Sequence, residues 1–234
     1  MSSSLSRPTS PFSDVASPRR TVLADEIYEI IKSKLMDSVV EPGGRLSIDG
    51  LARDLGVSPT PIREALARLE SDGLVVKRPH HGYTAAPLID ATAFEELFRM
   101  RLLLEPAGAS WAAEVATPAQ ISAMADLIEA MRVPVSGDDY ESYKSFAAQD
   151  AAFHLALATA SGVTLMVETF ERLRPHAQLY RLYYTIGITG DTVLEHQRVL
   201  DAVARRDDAG AAQAMSAHLR ASRARLAGAA SRHE

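Results

Sequence analysis

The chain has no cysteine among its 234 residues. Disulfide bonds and thiolate metal ligands are therefore excluded, and the absence fits a reducing cytoplasm, where we expect the protein to lie. It also has no run of eighteen apolar residues, so no transmembrane helix and no membrane association is predicted. An excess of positive charge is missing as well, since the formal net charge is −5.

The net negative charge comes entirely from the second part of the chain. Residues 1–88 carry 11 Lys and Arg and 11 Asp and Glu, whereas the remainder carries 14 and 19. The N-terminal part is neutral rather than basic, so charge alone does not predict DNA binding. A length of 234 residues permits one large or two small domains, and a hydrophobic content of 47% is that of an ordinary globular protein.

The first twenty residues are rich in serine and proline and contain little that could form a core. We therefore predict a disordered arm at residues 1–20. Residues 21–88 follow as the first predicted domain. Apolar residues at helical spacing predict that it begins with a helix at about 22–39.

Two short helices are predicted around residues 47–72. Ser47 can cap a helix that runs to Leu55, where Gly56 would end it. After a tight turn, Thr60 is a candidate N-cap, with Pro61 at the first helical position. Two such helices joined by a short turn form a helix-turn-helix, in which the second helix presents its N-terminal side chains to the DNA major groove.

A basic turn follows the second helix. The segments 74–76 and 83–85 flank a turn with Lys77, Arg78, His81 and Gly82, which predicts a two-stranded wing. The helices alone are equally typical of an ordinary helical hairpin, but the wing favours DNA binding. Thr60, Arg63 and Ala67 lie opposite the apolar stripe of the second helix. Of these three, Arg63 is the side chain that can bind guanine through two hydrogen bonds.

The segment from residue 22 to 86 resembles the winged-helix domain of the GntR transcriptional regulators. The resemblance is carried by PGGRL at 42–46, LARDLGVSPTPIREAL at 51–66, and LE and DGL at 69–74. It implies binding to double-stranded operator DNA through Arg45, Thr60, Arg63 and the wing residues. Pro59 is a departure, because many members carry an arginine there.

Residues 89–230 have helical patterns throughout, which predicts an antiparallel all-α bundle. Asp90 can cap a helix to about Ala116, and Thr117 and Gln120 form a capping box before the next one. The other helices are predicted at about 139–160, 163–184 with a kink at Pro175, 192–205 and 208–229. The fold is therefore predicted to be mainly α, with a winged helix-turn-helix domain preceding the bundle.

Three of these helices direct metal-type side chains inward. Asp150 and His154 lie four residues apart on one apolar face, and His196 and His218 each follow an apolar residue at i+3. One histidine on an apolar face is more often a hydrogen-bonded core residue, but three such faces favour a metal site. His176, beside Pro175, is predicted to be exposed.

One carboxylate and three neutral imidazoles suit a divalent ion, with Zn²⁺ or Ni²⁺ preferred and Mn²⁺ or Fe²⁺ as alternatives. The ion and one aspartate together carry a net charge of +1, which favours an anionic ligand. Arg101 could hold such an anion. Equally, it could form an ion pair with Glu105 or Glu168.

This arrangement is similar to the FCD effector domain of FadR-type GntR regulators, over about residues 90–226, in its smaller, VanR-like six-helix variant. The resemblance implies that Asp150, His154, His196 and His218 bind a divalent metal to which small carboxylates coordinate. It leads us to predict a homodimeric transcriptional regulator, a repressor rather than an enzyme, controlled by a small organic acid. A metal-dependent enzyme and a direct metal sensor remain the alternatives.

Overall fold

The computed structural model describes residues 18–78, 82–135, 137, 139–176, 179 and 190–230, with side chains between Leu23 and Ala227. Its N-terminal unit consists of α1 (Pro18–Met36), β1 (Arg45–Leu46), α2 (Ile48–Asp54), α3 (Pro59–Ser71), β2 (Val75–Arg78) and β3 (Gly82–Ala85). The C-terminal unit consists of α4 (Ala91–Val115), α5 (Pro118–Met131), α6 (Tyr140–Ala160), α7 (Thr164–Leu173), α8 (Gly190–Ala204) and α9 (Asp208–Ala230). The predicted fold, mainly α with a winged helix-turn-helix before a helical domain, is confirmed.

Helix α1 begins earlier than predicted. It starts at Pro18, inside the segment 1–20 that was predicted to be a disordered arm, while residues 1–17 lie outside the described part. A proline at the first helical position costs nothing, because its missing N–H would have no carbonyl to bond there. The same proline also fixes φ at a helical value.

The helix-turn-helix is as predicted except at the start of its second helix. The Ser47 hydroxyl accepts a hydrogen bond from the Gly50 amide at 3.2 Å and caps α2, and Gly56 follows that helix with φ of 68°. Helix α3, however, begins at Pro59 with Ser58 at the N-cap position, so Thr60 lies in its first turn and does not cap it. Proline is tolerated throughout the first turn, which allows the helix to start before Pro61.

The wing contains a third strand that the sequence did not predict. β3 lies in the centre of an antiparallel sheet, with β2 on one side and β1 on the other, and Arg45 lies opposite Thr84. A strand of two residues is too short to show alternation. Of the predicted turn, Pro79, His80 and His81 lie outside the described residues.

Side chains form hydrogen bonds to the backbone at the ends of the bundle helices. The Asp90 carboxylate accepts a hydrogen bond from the Ala93 amide at 2.8 Å, and Thr117 and Gln120 form the predicted capping box. At the other end of α4, the Arg206 guanidinium donates to the carbonyls of Ala113 and Ala116 at 3.1 and 2.7 Å. These bonds satisfy carbonyls that have no partner within the helix.

Helix α7 is shorter than predicted and has no kink at Pro175. It ends at Leu173, and Arg174 adopts the left-handed conformation with φ of 45° and ψ of 48°. A contributing reason is that proline disfavours the right-handed helical conformation at the residue before it. Residues 177, 178 and 180–189, into which the prediction extended, lie outside the described part.

The two units contact each other along α1, α3, α6 and the end of α7. The Tyr140 amide donates to Asp37 Oδ1 at 2.7 Å, and the Arg174 guanidinium lies over Gly73, where an added Cβ would be 3.3 Å from Nη1. A cleft of about 760 Å³ lies between the units and extends inward to His176. Across the described ranges, we find no helix with the length and apolar character needed to cross a membrane.

Candidate metal centre and DNA-binding surface

The four predicted metal ligands are buried, and three of them meet closely. Asp150 and His154 lie one turn apart on α6, and each is 3% exposed. His196 on α8 places its Nε2 atom 3.2 Å from His154 Nε2 and 3.4 Å from Asp150 Oδ1. His218, on α9, offers a ligand atom within 4.8 Å of those of His154 and His196. The structure therefore brings together side chains that lie up to 68 positions apart in the sequence.

Two carboxylates lie beside the imidazoles. Glu105 Oε2 on α4 lies 2.6 Å from His154 Nδ1, and Glu195 Oε2 lies 2.8 Å from His218 Nδ1. The Glu195 contact is a hydrogen bond, whereas His154 Nδ1 has no well-directed hydrogen-bond partner among the described residues. A proton on Nδ1 of either ring would leave its Nε2 atom with a lone pair for a metal. Carboxylate partners of this kind are usual behind metal-bound histidines, because they fix the tautomer and raise the basicity of the ligand.

His154, His176 and His196 are held in the neutral form that binds metals. Burial lowers the pKa of His154, His176 and His196 well below the ordinary value, and neighbouring positive groups lower it further. Burial alone would raise the pKa of Glu195, but hydrogen bonds from Arg225 and His218 outweigh it and lower that pKa to about 2. Glu195 is therefore a permanent anion beside the cluster.

The separations among Asp150, His154 and His196 fit a single ion. Two donors that each lie about 2.1 Å from one ion can be at most about 4.2 Å apart. The Asp150–His154 separation of 4.0 Å and the two shorter contacts of His196 satisfy this limit. Nitrogen donors with one carboxylate oxygen form a set that binds Zn²⁺, Ni²⁺, Mn²⁺ or Fe²⁺.

The structure adds a residue that the sequence did not predict. His176 is 6% exposed, not exposed as expected, and its Nε2 atom lies 3.5 Å from Asp150 Oδ2. The predicted helix at 163–184 contained this position but did not assign His176 to its buried face, and in the structure His176 is helical directly after the break at Arg174. Only its residue type could have drawn attention to it.

Arg101 is paired with the nearer of the two glutamates considered. It is 1% exposed, and its Nε atom donates to Glu105 Oε1 at 2.5 Å, with a second bond at 3.3 Å. Since Glu105 also contacts His154, the pair connects Arg101 to the metal centre. The ion-pair alternative is therefore present, and contact of Arg101 with an effector stays a prediction.

Most of the predicted DNA contacts are exposed on the N-terminal unit. Arg63 is exposed on α3, Lys77 and Arg78 are exposed at the end of β2, and Arg45 and Gly82 are exposed on the neighbouring strands. Thr60 is half-buried in the first turn of α3, and His81 lies outside the described residues. The sheet therefore places Arg45 with the wing, through a pairing that was not predicted.

Two family models match the chain, one to each unit. Residues 23–84 match the model described as bacterial regulatory proteins of the gntR family, and residues 96–221 match the FCD domain. The fold and these two matches thus define a DNA-binding regulator with a helical FCD domain. The chain belongs to the GntR family of bacterial transcriptional regulators, in the group with an FCD domain.

Similar proteins agree with this assignment. LutR of Bacillus subtilis is 31% identical over 212 residues, which cover 77% of this chain and 90% of LutR. A putative L-lactate dehydrogenase operon regulatory protein of Escherichia coli is 29% identical over 227 residues, covering 86% and 84% of the two chains. The solved structure of E. coli McbR/YncC has the same fold, with a TM-score of 0.66 at 24% identity over 87% of this chain and 96% of that one. These are regulators rather than enzymes, which removes the metalloenzyme alternative.

Proposed function

We propose that this regulator represses transcription as a homodimer and releases its operator when a small carboxylate binds a divalent metal in the FCD domain. The observation that carries the proposal is the convergence of His196, His154 and Asp150 in a buried cluster. Buried side chains of this kind are costly without a partner, and an ion would supply one for all of them. Because operator DNA lies in the bacterial cytoplasm, we place the protein there.

The charge balance around the cluster favours an anionic effector. Arg101 offsets Glu105, and Arg225 donates two bonds to Glu195, at 2.6 and 2.8 Å. A divalent ion with Asp150 would then retain a net charge of +1. The relative named as a regulator of an L-lactate dehydrogenase operon points in the same direction, because lactate is a small carboxylate.

The interdomain cleft offers a route for the signal. Its volume of about 760 Å³ is within the range of small-molecule sites, and Lys144, Arg172 and Arg174 are among its lining residues. Tyr28 and Asp72 of the winged-helix unit line the same cleft, and Gly73, at the end of α3, packs against Arg174. A ligand that shifted Arg174 would alter its contact with Gly73 at the end of α3. Ligand binding in the cleft would in this way change the position of the DNA-binding helix.

A second candidate is a direct metal sensor, in which the ion itself is the signal. The observation that favours it is a cavity of only about 10 Å³ beside Glu105 and His154. A space of that size holds about one water molecule, not an organic acid. On this alternative the metal would change operator binding without any further ligand.

Operator binding by purified protein tests both candidates. We expect the Zn²⁺-loaded protein to bind a fluorescent fragment of its own promoter region at ~0.1 M salt. One member of a panel of small organic acids should then lower the fluorescence anisotropy. Dependence on metal alone would favour the direct sensor, and no binding under either condition would contradict the proposal.

The Arg63→Ala variant is the matched control in this experiment. Arg63 is exposed on α3 and far in sequence from the cluster, so the variant should lose about 1–3 kcal/mol of operator discrimination. Its thermal stabilisation by metal and acid should equal that of the wild type. A parallel loss of both responses would mean that DNA binding and metal binding had not been separated.

The exposed face of α4 supports the proposed homodimer. Met100, Leu103, Trp111 and Val115 are exposed at helical spacing, and Leu103 is 66% accessible. Val115 lies against Gly162, which extends the patch toward the start of α7. Contiguous apolar patches on a protein surface usually mark an interface, and two winged helices are needed for a palindromic operator.

Introducing a charge into this face should prevent dimerisation. We expect Leu103→Asp to run as a monomer in sedimentation velocity and to lose most of its operator affinity, because a buried unpaired carboxylate is costly. Leu194→Asp is the control, since Leu194 is an exposed leucine of α8, 53% accessible, outside the α4 face. An unchanged dimer in Leu103→Asp, or equal dissociation in both variants, would exclude α4 as the interface.

A further inference from the structure

His176 lies at the inner end of the interdomain cleft and contacts the metal cluster. The imidazole lines the cleft, while its ring centroid is 4.9 Å from that of His154. Phe170, near the end of α7, packs beside it at 5.7 Å between ring centroids. His176 therefore occupies the boundary between the cluster and the space through which a ligand would arrive.

The two oxygens of Asp150 divide the cluster into two sides. Oδ1 lies 3.4 Å from His196 Nε2, and Oδ2 lies 3.5 Å from His176 Nε2. The ligand atoms of Asp150, His154 and His176 all lie within 4.8 Å of one another. His154 belongs both to this group and to the group formed with His196 and His218, so the two groups of donors adjoin at His154.

The backbone presents His176 differently from the other donors. Those donors project from α6, α8 and α9, whereas His176 has helical conformation directly after the left-handed Arg174 and Pro175. Its position is therefore set by the break that follows α7. Arg174, at that break, lies over Gly73, so movement there would reach the end of the recognition helix α3.

We infer that His176 is a fifth protein donor to the metal, added to Asp150 and the three histidines of the bundle. The inference rests on the proposed metal centre. On a six-coordinate ion, five protein donors leave one open position. A carboxylate that arrives through the cleft meets His176 first, and it can bind through two oxygens only if one protein donor leaves.

The alternative is that His176 donates a hydrogen bond to Asp150 and never binds the ion. Such outer partners also alter metal affinity, by roughly 10- to 100-fold, so affinity does not distinguish the two roles. The number of imidazole nitrogens bound to the ion does. X-ray absorption of the Zn²⁺-loaded full chain, with no other ligand added, counts them.

We expect four imidazole donors in the wild type and three in His176→Ala, with free imidazole restoring the fourth. His218→Ala is the positive control and should also lose one donor. Lys144→Ala is the negative control, since Lys144 lines the same cleft and is paired with Glu141. If His176→Ala does not fold, the count in the wild type still decides.

An unchanged count in His176→Ala, or three donors in the wild type, would overturn the inference and leave His176 as a hydrogen-bond partner of Asp150. The proposed metal centre would survive that result, because three imidazoles would still be bound. Absence of bound Zn²⁺ in the wild type would instead remove the metal centre and this inference with it. The failures of the two proposals are therefore distinguishable.

Discussion

Replacing His196 with alanine is expected to abolish the stabilisation of the protein by Zn²⁺. His196 is fully buried, and its Nε2 atom lies 3.2 Å from His154 Nε2 and 3.4 Å from Asp150 Oδ1. With free metal about 100-fold above its Kd, the free energy of unfolding of the wild type should rise by about 2.7 kcal/mol. The variant should gain almost nothing. Urea unfolding of metal-free and metal-loaded protein measures both values.

Leu200→Ala separates this effect from general damage to the bundle. Leu200 is buried one turn after His196 on the same helix, α8. Its truncation should cost about 2–5 kcal/mol of stability in either state, but the increment due to metal should be retained. If His196→Ala kept the full increment, an ion at this cluster would be excluded, whatever its other effects on stability.

The candidate ligands were predictable because local periodicity places them. Asp150 and His154 lie four positions apart on an apolar stripe, and the inward faces of the helices that carry His196 and His218 follow from neighbouring apolar residues. That the three helices meet at these levels does not follow from periodicity. Only the resemblance to the FCD domain predicted that they would.

The residues that were missed depend on contacts between elements. His176 lies directly after the break at Arg174 and Pro175, so its burial depends on packing against Phe170 and Asp150 and does not follow from the apolar stripe of α7. Glu195 precedes His196 by one position and points to another side of α8, yet α9 brings His218 within 2.8 Å of it. Strand β1 is likewise defined by its pairing with β3.

The ends of helices were predicted well where a side chain caps the backbone and less well near proline. Ser47, Asp90 and Thr117 each accept the expected backbone hydrogen bond. The N-cap position of α3, in contrast, is Ser58, which makes no side-chain bond. Proline is tolerated at each position of the first turn, so Pro59 and Pro61 are both compatible with the start of α3. Without a capping hydrogen bond, the sequence does not show which residue begins the helix.

Removing Glu105 is expected to destabilise the metal-free protein strongly. Glu105 accepts two hydrogen bonds from Arg101, and both side chains are almost fully buried. Glu105→Ala would leave a buried guanidinium without this carboxylate, which typically costs about 3–5 kcal/mol. The midpoint of urea unfolding in the presence of a chelator measures the loss.

The same variant should also weaken metal binding, because the Glu105 carboxylate lies 2.6 Å from His154 Nδ1 and can accept its proton when His154 binds a metal through Nε2. We expect the Kd for Zn²⁺ to rise by roughly 10- to 100-fold in competition with a chromophoric chelator. Glu141→Ala is the matched control, since Glu141 forms an exposed ion pair with Lys144 whose removal should cost at most about 1 kcal/mol.

The double variant Arg101→Met with Glu105→Leu tests which part of the loss is due to the uncompensated charge. Replacing both members of a buried ion pair by apolar residues is often close to neutral, so most of the stability should return. The orientation of His154 should not return, because no carboxylate would face its Nδ1. Recovery of stability without recovery of metal affinity would assign Glu105 two separate roles, and recovery of both would show that it acts only as the counterion of Arg101.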